Sequence, residues 1–320
     1  MAMSASGPTP IRGRIRVVLT ADDAGYAPCR DAGIFACARA GLVSAVSLLV
    51  TGASAREAAR AAAALPHVSL GCHVNLTEGA PSSPPDEVRS LLDPSGSGFM
   101  RGKEGFRAAL AAGAVSLAHV RAEVRAQLAA FASLTGGTPP AHADGHQHVH
   151  VLPGVREIFA EEAAAAGVRW ARVPALGAAE AAALPPARAA FYRGVGADCA
   201  RARAVFAASG LRSSAAFAGF TLGGAACSVE AVLAACRAAA GAAADAGGSA
   251  DDGAPDLEIM FHPGRRVPAA APAAEAGCGG AAADDFAQSL DREAELAVLS
   301  GSALARALDD AGVAVVKWSA

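Results

Sequence analysis

IRVVLTADD, residues 15 to 23, sets the reading of the whole chain: an apolar, β-branched run that stops on two carboxylates. Such a run reads as a buried strand. Further runs of the same kind follow at SAVSLLV (44–50), HVSLGCHV (67–74), AHADGH (141–146), VRWARV (168–173), AFAGFTL (216–222), LEIMF (257–261) and VAVVKW (313–318). Between them lie alanine-rich stretches with helical character: DAGIFACARAG, REAARAAAAL, LAHVRAEVRAQLAAFASL, VREIFAEEAAAA and DREAELAVLSGSALARALDDAG. In the fourth, Ile158 and Phe159 fall three and four residues after Val155, which places all three on one helix face. Strand and helix alternating about eight times predict an α/β fold, a distorted, TIM-like (β/α) barrel of mostly parallel strands.

At 320 residues the chain fits one large domain, expected over residues 15–320, with a flexible N-terminal segment at 1–14. Two Gly-, Ala-, Pro- and Asp-rich stretches, 238–255 and 267–283, read as mobile insertions. A 53% hydrophobic and 18% charged composition is globular. The net charge of −3 offers nothing to nucleic-acid phosphates. No uninterrupted apolar run is long enough to span a bilayer. Seven scattered cysteines without a CxxC pair fit reduced thiols in a cytoplasmic setting. The opening MAMSASGPTPIRGRIR has no apolar h-region, so a secretory signal is not expected, although a short targeting remnant remains compatible with it. A homodimer is the ordinary expectation for such an enzyme.

In a barrel the reactive side chains collect at the C-terminal ends of the strands. Four strand-like runs end that way here: at Asp22-Asp23, at His73 before Asn75, at Asp144 and His146, and at His262 in His-Pro-Gly. Each alone has an ordinary explanation, a helix cap or a surface histidine; their common edge does not. HADGHQHVH (142–150) also carries half of the chain's eight histidines. Read with a period of two, His142, Asp144, His146, His148 and His150 share one side. One carboxylate and two imidazoles make a three-ligand set that leaves a divalent metal an open position. A second carboxylate beside it would take a proton from water, and a histidine across the site would give one to a leaving group. There is no GxGxxG, no GxxxxGK[ST] and no GxSxG in the chain, so nucleotide-loop and serine-elbow chemistry have no motif to rest on. Cys72 precedes His73 on a strand, so it faces the other way, into the core.

The stretches TADDAGYAPCRDAGI and GLVSAVSLLVTG (20–52), LGCHVNLTEGAP (70–81), HADGHQHVHVLPGV (142–155) and EIMFHPG (258–264) resemble the YdjC-like carbohydrate deacetylases. That family includes bacterial chitooligosaccharide deacetylases of the ChbG type, and the histidine stretch is most similar to the eukaryotic YdjC-like proteins. The resemblance implies a distorted (β/α) barrel and a hydrolase that removes acetyl groups from N-acetylated carbohydrates. It implies Asp22 as catalytic base, Asp23, His73 and His146 as metal ligands, and His262 as proton donor. The implied metal is Mg2+, though a two-His, one-carboxylate set suits Zn2+ or another transition ion equally well. The substrate would be an acetylated sugar or oligosaccharide, N- or O-acetylated. Where the family has DDFG this chain has DDAG, with Ala24 in place of an aromatic, and residues 175–256 match the family poorly. Asp144 is placed to support a ligand histidine. His142, His148 and His150 read equally as supporting or structural residues. Arg172 reads more simply as a surface arginine in an ion pair than as a holder of a substrate oxygen or acetate. Asn75 would orient His73 or the loop after it. Two rivals remain at this level: the same metal site acting on another amide, an ester or a phosphate, and a catalytically silent scaffold.

Overall fold

Strand β1 (Ile15–Ala24) is the centre of the molecule, and all of its residues but Arg16 are buried. A run with no exposed side needs neighbours on both faces, which is why Val17, Val18 and Leu19 read as continuous rather than alternating apolar sequence. The computed structural model describes residues 14–175, 180, 182, 184, 186–245, 254–278 and 284–319. Beside β1 stand β2 (Ala45–Leu48), β3 (Ser69–Val74) and β4 (Ala143–Gly145) on one edge, and β6 (Leu257–Phe261) then β5 (Ala216–Ala218) on the other. The order is therefore β4-β3-β2-β1-β6-β5, parallel throughout. The last strand, β7 (Val313–Val315), pairs with Ile15–Val17, before β2 joins β1 at Thr20. The sheet curls into a distorted, TIM-like half-barrel wrapped by helices, as the strand–helix alternation predicts.

Helices α1 (Pro28–Arg39), α2 (Ala55–Ala63), α4 (Leu117–Leu134) and α5 (Val155–Ala165) stand where the sequence predicts them. Helices α3 (Gly102–Ala111), α6 (Pro186–Ala208) and α7 (Val229–Asp245) are additional. Two short helices follow, α8 (Ala273–Ala276) and α9 (Asp285–Gln288). The long final helical stretch is broken at Ser300-Gly301 into α10 (Asp291–Leu299) and α11 (Ser302–Asp310).

Three expectations need correction. The first eight residues of the insertion expected at 238–255 are the last turns of α7. Val232, Leu233, Cys236 and Ala239 are buried along one face of that helix, and alanine is the best helix former there is. Of the rest of that stretch, 246–253 lies outside the described residues, as do 279–283 of the second and 1–13 at the N-terminus. VRWARV (168–173) is not a laddered strand but a run of single bridges, Ala143 to Ala171 and Trp170 to Arg212, which extends the hydrogen bonding from β4 toward β5. HADGHQHVH leaves the strand after Gly145. His146–Val151 coil into a 3-10 turn, with Gln147 and His148 at φ of 53° and 60°. The period-two alignment of the five residues therefore fails beyond Asp144.

The loops above the strands are laced together. A Cβ on Gly52 would lie 2.1 Å from the Gly25 carbonyl oxygen, and one on Gly79, which sits at φ +66°, would lie 2.0 Å from the Cys278 oxygen. Backbone thus meets backbone between the loops after β1 and β2, and between the loop after β3 and residue 278. Asn75 fastens the third loop. Its Oδ1 accepts from the Thr77 and Glu78 amides (3.0 and 3.1 Å), and its Nδ2 donates to Thr51 Oγ1 (3.0 Å) and the Glu78 carbonyl (2.8 Å). Asn75 therefore orients the loop rather than His73. From α4, Gln127 Oε1 accepts from the Asn75 amide (2.9 Å) and the Glu123 carboxylate from those of Ser82 and Ser83 (2.8 and 2.9 Å).

Candidate active site

Successive side chains on a strand point to opposite faces, so Asp22 and Asp23 should not share a cavity. They do, because β1 bulges there: its register with β2 shifts between Ala21 and Ala24, and Asp23 stands at φ 64°. Aspartate tolerates the left-handed region better than most residues, and the turn swings its carboxylate to the side of Asp22. Both carboxylates line a cavity of about 180 Å³ together with His73, His146 and His262, and Gln147, His148, Lys103, Phe191, Tyr192, Met260, Asp284 and Phe286 complete its wall.

Asp23 Oδ1 lies 3.3 Å from His73 Nε2 and 3.0 Å from His146 Nδ1, and all three side chains are buried. Ligands about 2.0–2.2 Å from one ion are roughly 3.0–3.5 Å from each other, so this spacing fits a shared cation. Arg30 Nη2 stands 3.4 Å from the second oxygen of Asp23. His73 Nδ1 donates to Asp144 Oδ1 at 2.7 Å, which leaves Nε2 as its metal-facing nitrogen. Asp144 thus supports His73, its neighbour across the β3–β4 ladder, and not His146. Burial pushes Asp23 up, but the adjacent imidazoles His146 and His73 overcome it and hold the carboxyl well below its usual range. Burial likewise works against a charged His73, yet Asp144 and Asp22 lift it to about 9. Both shifts describe the metal-free protein. The donor set fits a divalent ion, and among the described residues one other trio, Asp22, His73 and Asp144, has comparable spacing. In that second trio Asp22 and Asp144 already hold Arg172, which takes the place a cation would occupy.

Arg172 is where the sequence reading errs most. It is not at the surface; it is 1% exposed and grips three carboxylates. Nη1 and Nη2 donate to the two oxygens of Asp22 (2.6 and 2.8 Å), Nη2 also meets Asp144 Oδ2 (2.8 Å), and Nε donates to Glu258 Oε1 (2.9 Å). The planar five-donor fork of arginine is suited to this sharing, and a lysine ammonium is not. Glu258, buried on β6 and held also by Thr20 Oγ1 (3.0 Å), is a site residue the sequence analysis passed over. The signal was there: an acid inside the apolar run LEIMF, and an arginine inside VRWARV, are both out of place unless paired. Three carboxylates around one guanidinium leave excess negative charge, so burial and the neighbouring acids lift Glu258 to about 7 despite Arg172. Burial also raises Asp22, with Asp144 adding to it and Arg172 opposing it.

His262 Nε2 stands 3.8 Å from Asp22 Oδ2. Its backbone amide donates to Glu295 (2.6 Å), and its carbonyl accepts from Arg292 Nη1 (3.2 Å), so α10 fixes the His-Pro-Gly loop. Burial, reinforced by Arg292, Arg30 and His73, keeps its imidazole well below the ordinary value in spite of Asp23. The other histidines separate cleanly. His142 bonds Ser47 Oγ (2.9 Å) and packs on Trp318. His150 donates from Nε2 to the Arg172 carbonyl (3.0 Å) and lies between Phe159 and Phe206. Burial pushes both down to about 4, as expected of neutral packing histidines. His148 packs edge-on to Phe220 and lines the cavity.

The YdjC-like protein family matches residues 16–310, and a carbohydrate deacetylase of Mus musculus is 44% identical over 303 residues, covering 94% of this chain and 93% of that one. The chain belongs to the YdjC-like family. A further relative, a chitooligosaccharide deacetylase of Proteus mirabilis, is 35% identical over 146 residues, 45% of this chain and 54% of its own. Among solved structures, an Enterococcus faecalis protein named for cellobiose-phosphate cleavage superposes with a TM-score of 0.63 at 20% identity, covering 96% of this chain and 98% of that one. That likeness shows the fold alone. Among the described residues no helix is long and apolar enough to cross a membrane.

Proposed function

We propose that the protein is a metal-dependent hydrolase that removes the acetyl group from an N-acetylated sugar, releasing acetate and an amino sugar. The observation that carries this reading is the placement of Asp22, the Asp23–His73–His146 trio and His262 around one cavity. The names of the relatives support the same substrate class. Asp23, His73 and His146 would hold a divalent ion, Mg2+ by family resemblance and Zn2+ or another transition ion by donor chemistry. When bound, that ion supplies a Lewis acid for an acyl oxygen and acidifies water.

The protein's own groups do the rest. Arg172 fixes the Asp22 carboxylate in one orientation. Burial moves its affinity for a proton upward, toward that of a base working near neutral pH. Asp22 takes the proton from the attacking water. His262, 3.8 Å from Asp22 and neutral at rest, receives the proton that Asp22 took and delivers it to the departing nitrogen. The amide C–N bond breaks as the new C–O bond is completed, and the nitrogen leaves as a free amine.

A phosphate substrate would call for several cations. Among the described residues of the cavity wall, Lys103 is the one lysine or arginine, which favours an acyl substrate. The test is acetate release from N-acetylglucosamine and its oligomers by protein stripped of metal and refilled with magnesium, zinc, cobalt or nickel. Turnover that requires metal and disappears in Asp22→Asn is expected. No release with metal demonstrably bound would remove the sugar-deacetylase assignment.

A further inference from the structure

Among the described residues three large apolar side chains are well exposed: Leu117 at 45%, Leu290 at 61% and Phe286 at 43%. Of these, Phe286 borders the cavity that contains the acidic and histidine groups. Its ring is not loosely displayed. The Arg292 guanidinium lies 3.9 Å from its centroid, and Arg292 is itself held by Glu295 at 3.1 Å. The short helix that carries Phe286, α9, is capped by Asp284 Oδ1, which accepts from the Ala287 amide at 2.7 Å. The ring stands edge-on to His262, with 5.0 Å between centroids and an interplanar angle of 87°. An aromatic ring braced by a cation yet left open to water beside a reactive histidine forgoes burial energy that a binding partner would recover.

We propose that Phe286 is the stacking platform for the pyranose ring of the sugar that leaves with the amine. The inference rests on the deacetylase reading of the same site and follows from its geometry. The nitrogen that His262 protonates is bonded directly to a ring carbon of the sugar, so that ring must lie within a bond or two of the His262 imidazole. Among the described aromatic residues of the cavity wall, Phe191, Tyr192 and Phe286, it is Phe286 whose ring meets His262. A pyranose presents one face of axial C–H groups, and an aromatic face with its negative quadrupole is the matching surface. The cavity, about 180 Å³, is small against the roughly 300–1,000 Å³ that encloses a drug-sized ligand. It takes the acetamido group and the metal, and the sugar ring rests at the lip, on Phe286. Selectivity for a cyclic sugar over an acyclic acetamide would therefore reside in this residue rather than in the ligand histidines.

The experiment compares Phe286→Ala and Phe286→Trp with the native protein, on N-acetylglucosamine oligomers and on acyclic N-ethylacetamide. Saturation-transfer NMR of N-acetylglucosamine bound to Asp22→Asn, with and without Phe286→Ala, gives a reading that does not depend on turnover. Phe286→Ala is expected to raise KM for the sugar roughly three- to ten-fold more than for N-ethylacetamide, as loss of one aromatic contact implies. Phe286→Trp is expected to restore it, and saturation of the sugar-ring protons is expected to fall in the alanine variant. Equal effects on the two substrates, or unchanged ring saturation, would overturn the platform while leaving the deacetylase reading intact. Absence of sugar turnover in the native protein would overturn that reading instead, and the NMR comparison would still judge Phe286.

Discussion

His73 and Asp144 form a hydrogen bond of 2.7 Å between Nδ1 and Oδ1 inside the sheet, one residue on β3 and its ladder neighbour on β4. This contact would couple metal binding to pH. Without metal, the His73 pKa is raised from 6.5 to about 9, against burial, by Asp144 and Asp22. The folded state then holds this proton more tightly than the unfolded state. Its stabilisation is full below pH 6.5 and is lost as pH rises through about 9. A metal would have to displace a proton from the same imidazole, so metal affinity is expected to rise with pH up to about 9. Calorimetric titration at pH 7 in two buffers of different ionisation enthalpy should show proton release. In His73→Ala and His146→Ala the metal itself is expected to be lost, and full metal stoichiometry in both would refute the ligand assignment.

Replacing Arg172 by methionine is expected to be severe, since it leaves Asp22, Asp144 and Glu258 buried without their shared countercharge. Breaking one partner out of a buried ionic network costs about 3–5 kcal/mol. Arg172→Lys should recover part of the stability and little of the activity, because an ammonium cannot hold both oxygens of Asp22 and still reach Glu258. Urea unfolding and acetate release measure the two effects separately. A lysine variant with native turnover would show that the orientation of Asp22 is not set by the fork.

Acid should unfold the protein early, and the packing histidines His142 and His150 contribute to it. Burial pushes both to about 4, below the unfolded value of 6.5. Their contribution is fully present above pH 6.5 and is lost as pH falls toward 4. The urea midpoint is expected to drop through that window, and a His142→Asn, His150→Gln double variant to flatten the drop. An unchanged slope in the double variant would assign the acid sensitivity to other groups.

Gly52→Ala places a methyl group 2.1 Å from the Gly25 oxygen, where only backbone could yield. Overpacking of this kind costs about 1–3 kcal/mol. Because Gly25 follows the Asp22-Asp23 bulge, the variant should also lose turnover in excess of its loss of stability, measured by kcat at a temperature where it remains folded. Native kcat would show that the lacing does not reach the carboxylates.

The parallel strands, the Asp22-Asp23 edge and the His73 and His146 positions were legible because each depends on local pattern: an apolar run and what ends it. The arginine core of the site was not. Arg172 and Glu258 are 86 residues apart, and each looks misplaced until the other is seen beside it. The conformations of Asp23 and His148 were hidden in another way. Their backbones leave the strand conformation, and a period-two reading has no means of registering a left-handed residue. The end of α7 was hidden by composition, since an alanine-rich helix and an alanine-rich loop differ little in polarity.

The glycine contacts that lace the loops above β1, β2 and β3 also determine where this protein is free to vary. On that side, Gly25, Gly52 and Gly79 leave no room for even one added carbon beside their neighbours. Drift on that half of the rim is closed off, and with it any easy change to the buried Asp23 and His73 that end those strands. The arc where Phe191 and Tyr192 on α6 and Phe286 on α9 face the cavity is built of side chains instead. New sugars would be accommodated by altering that arc, under a reaction centre that stays as it is.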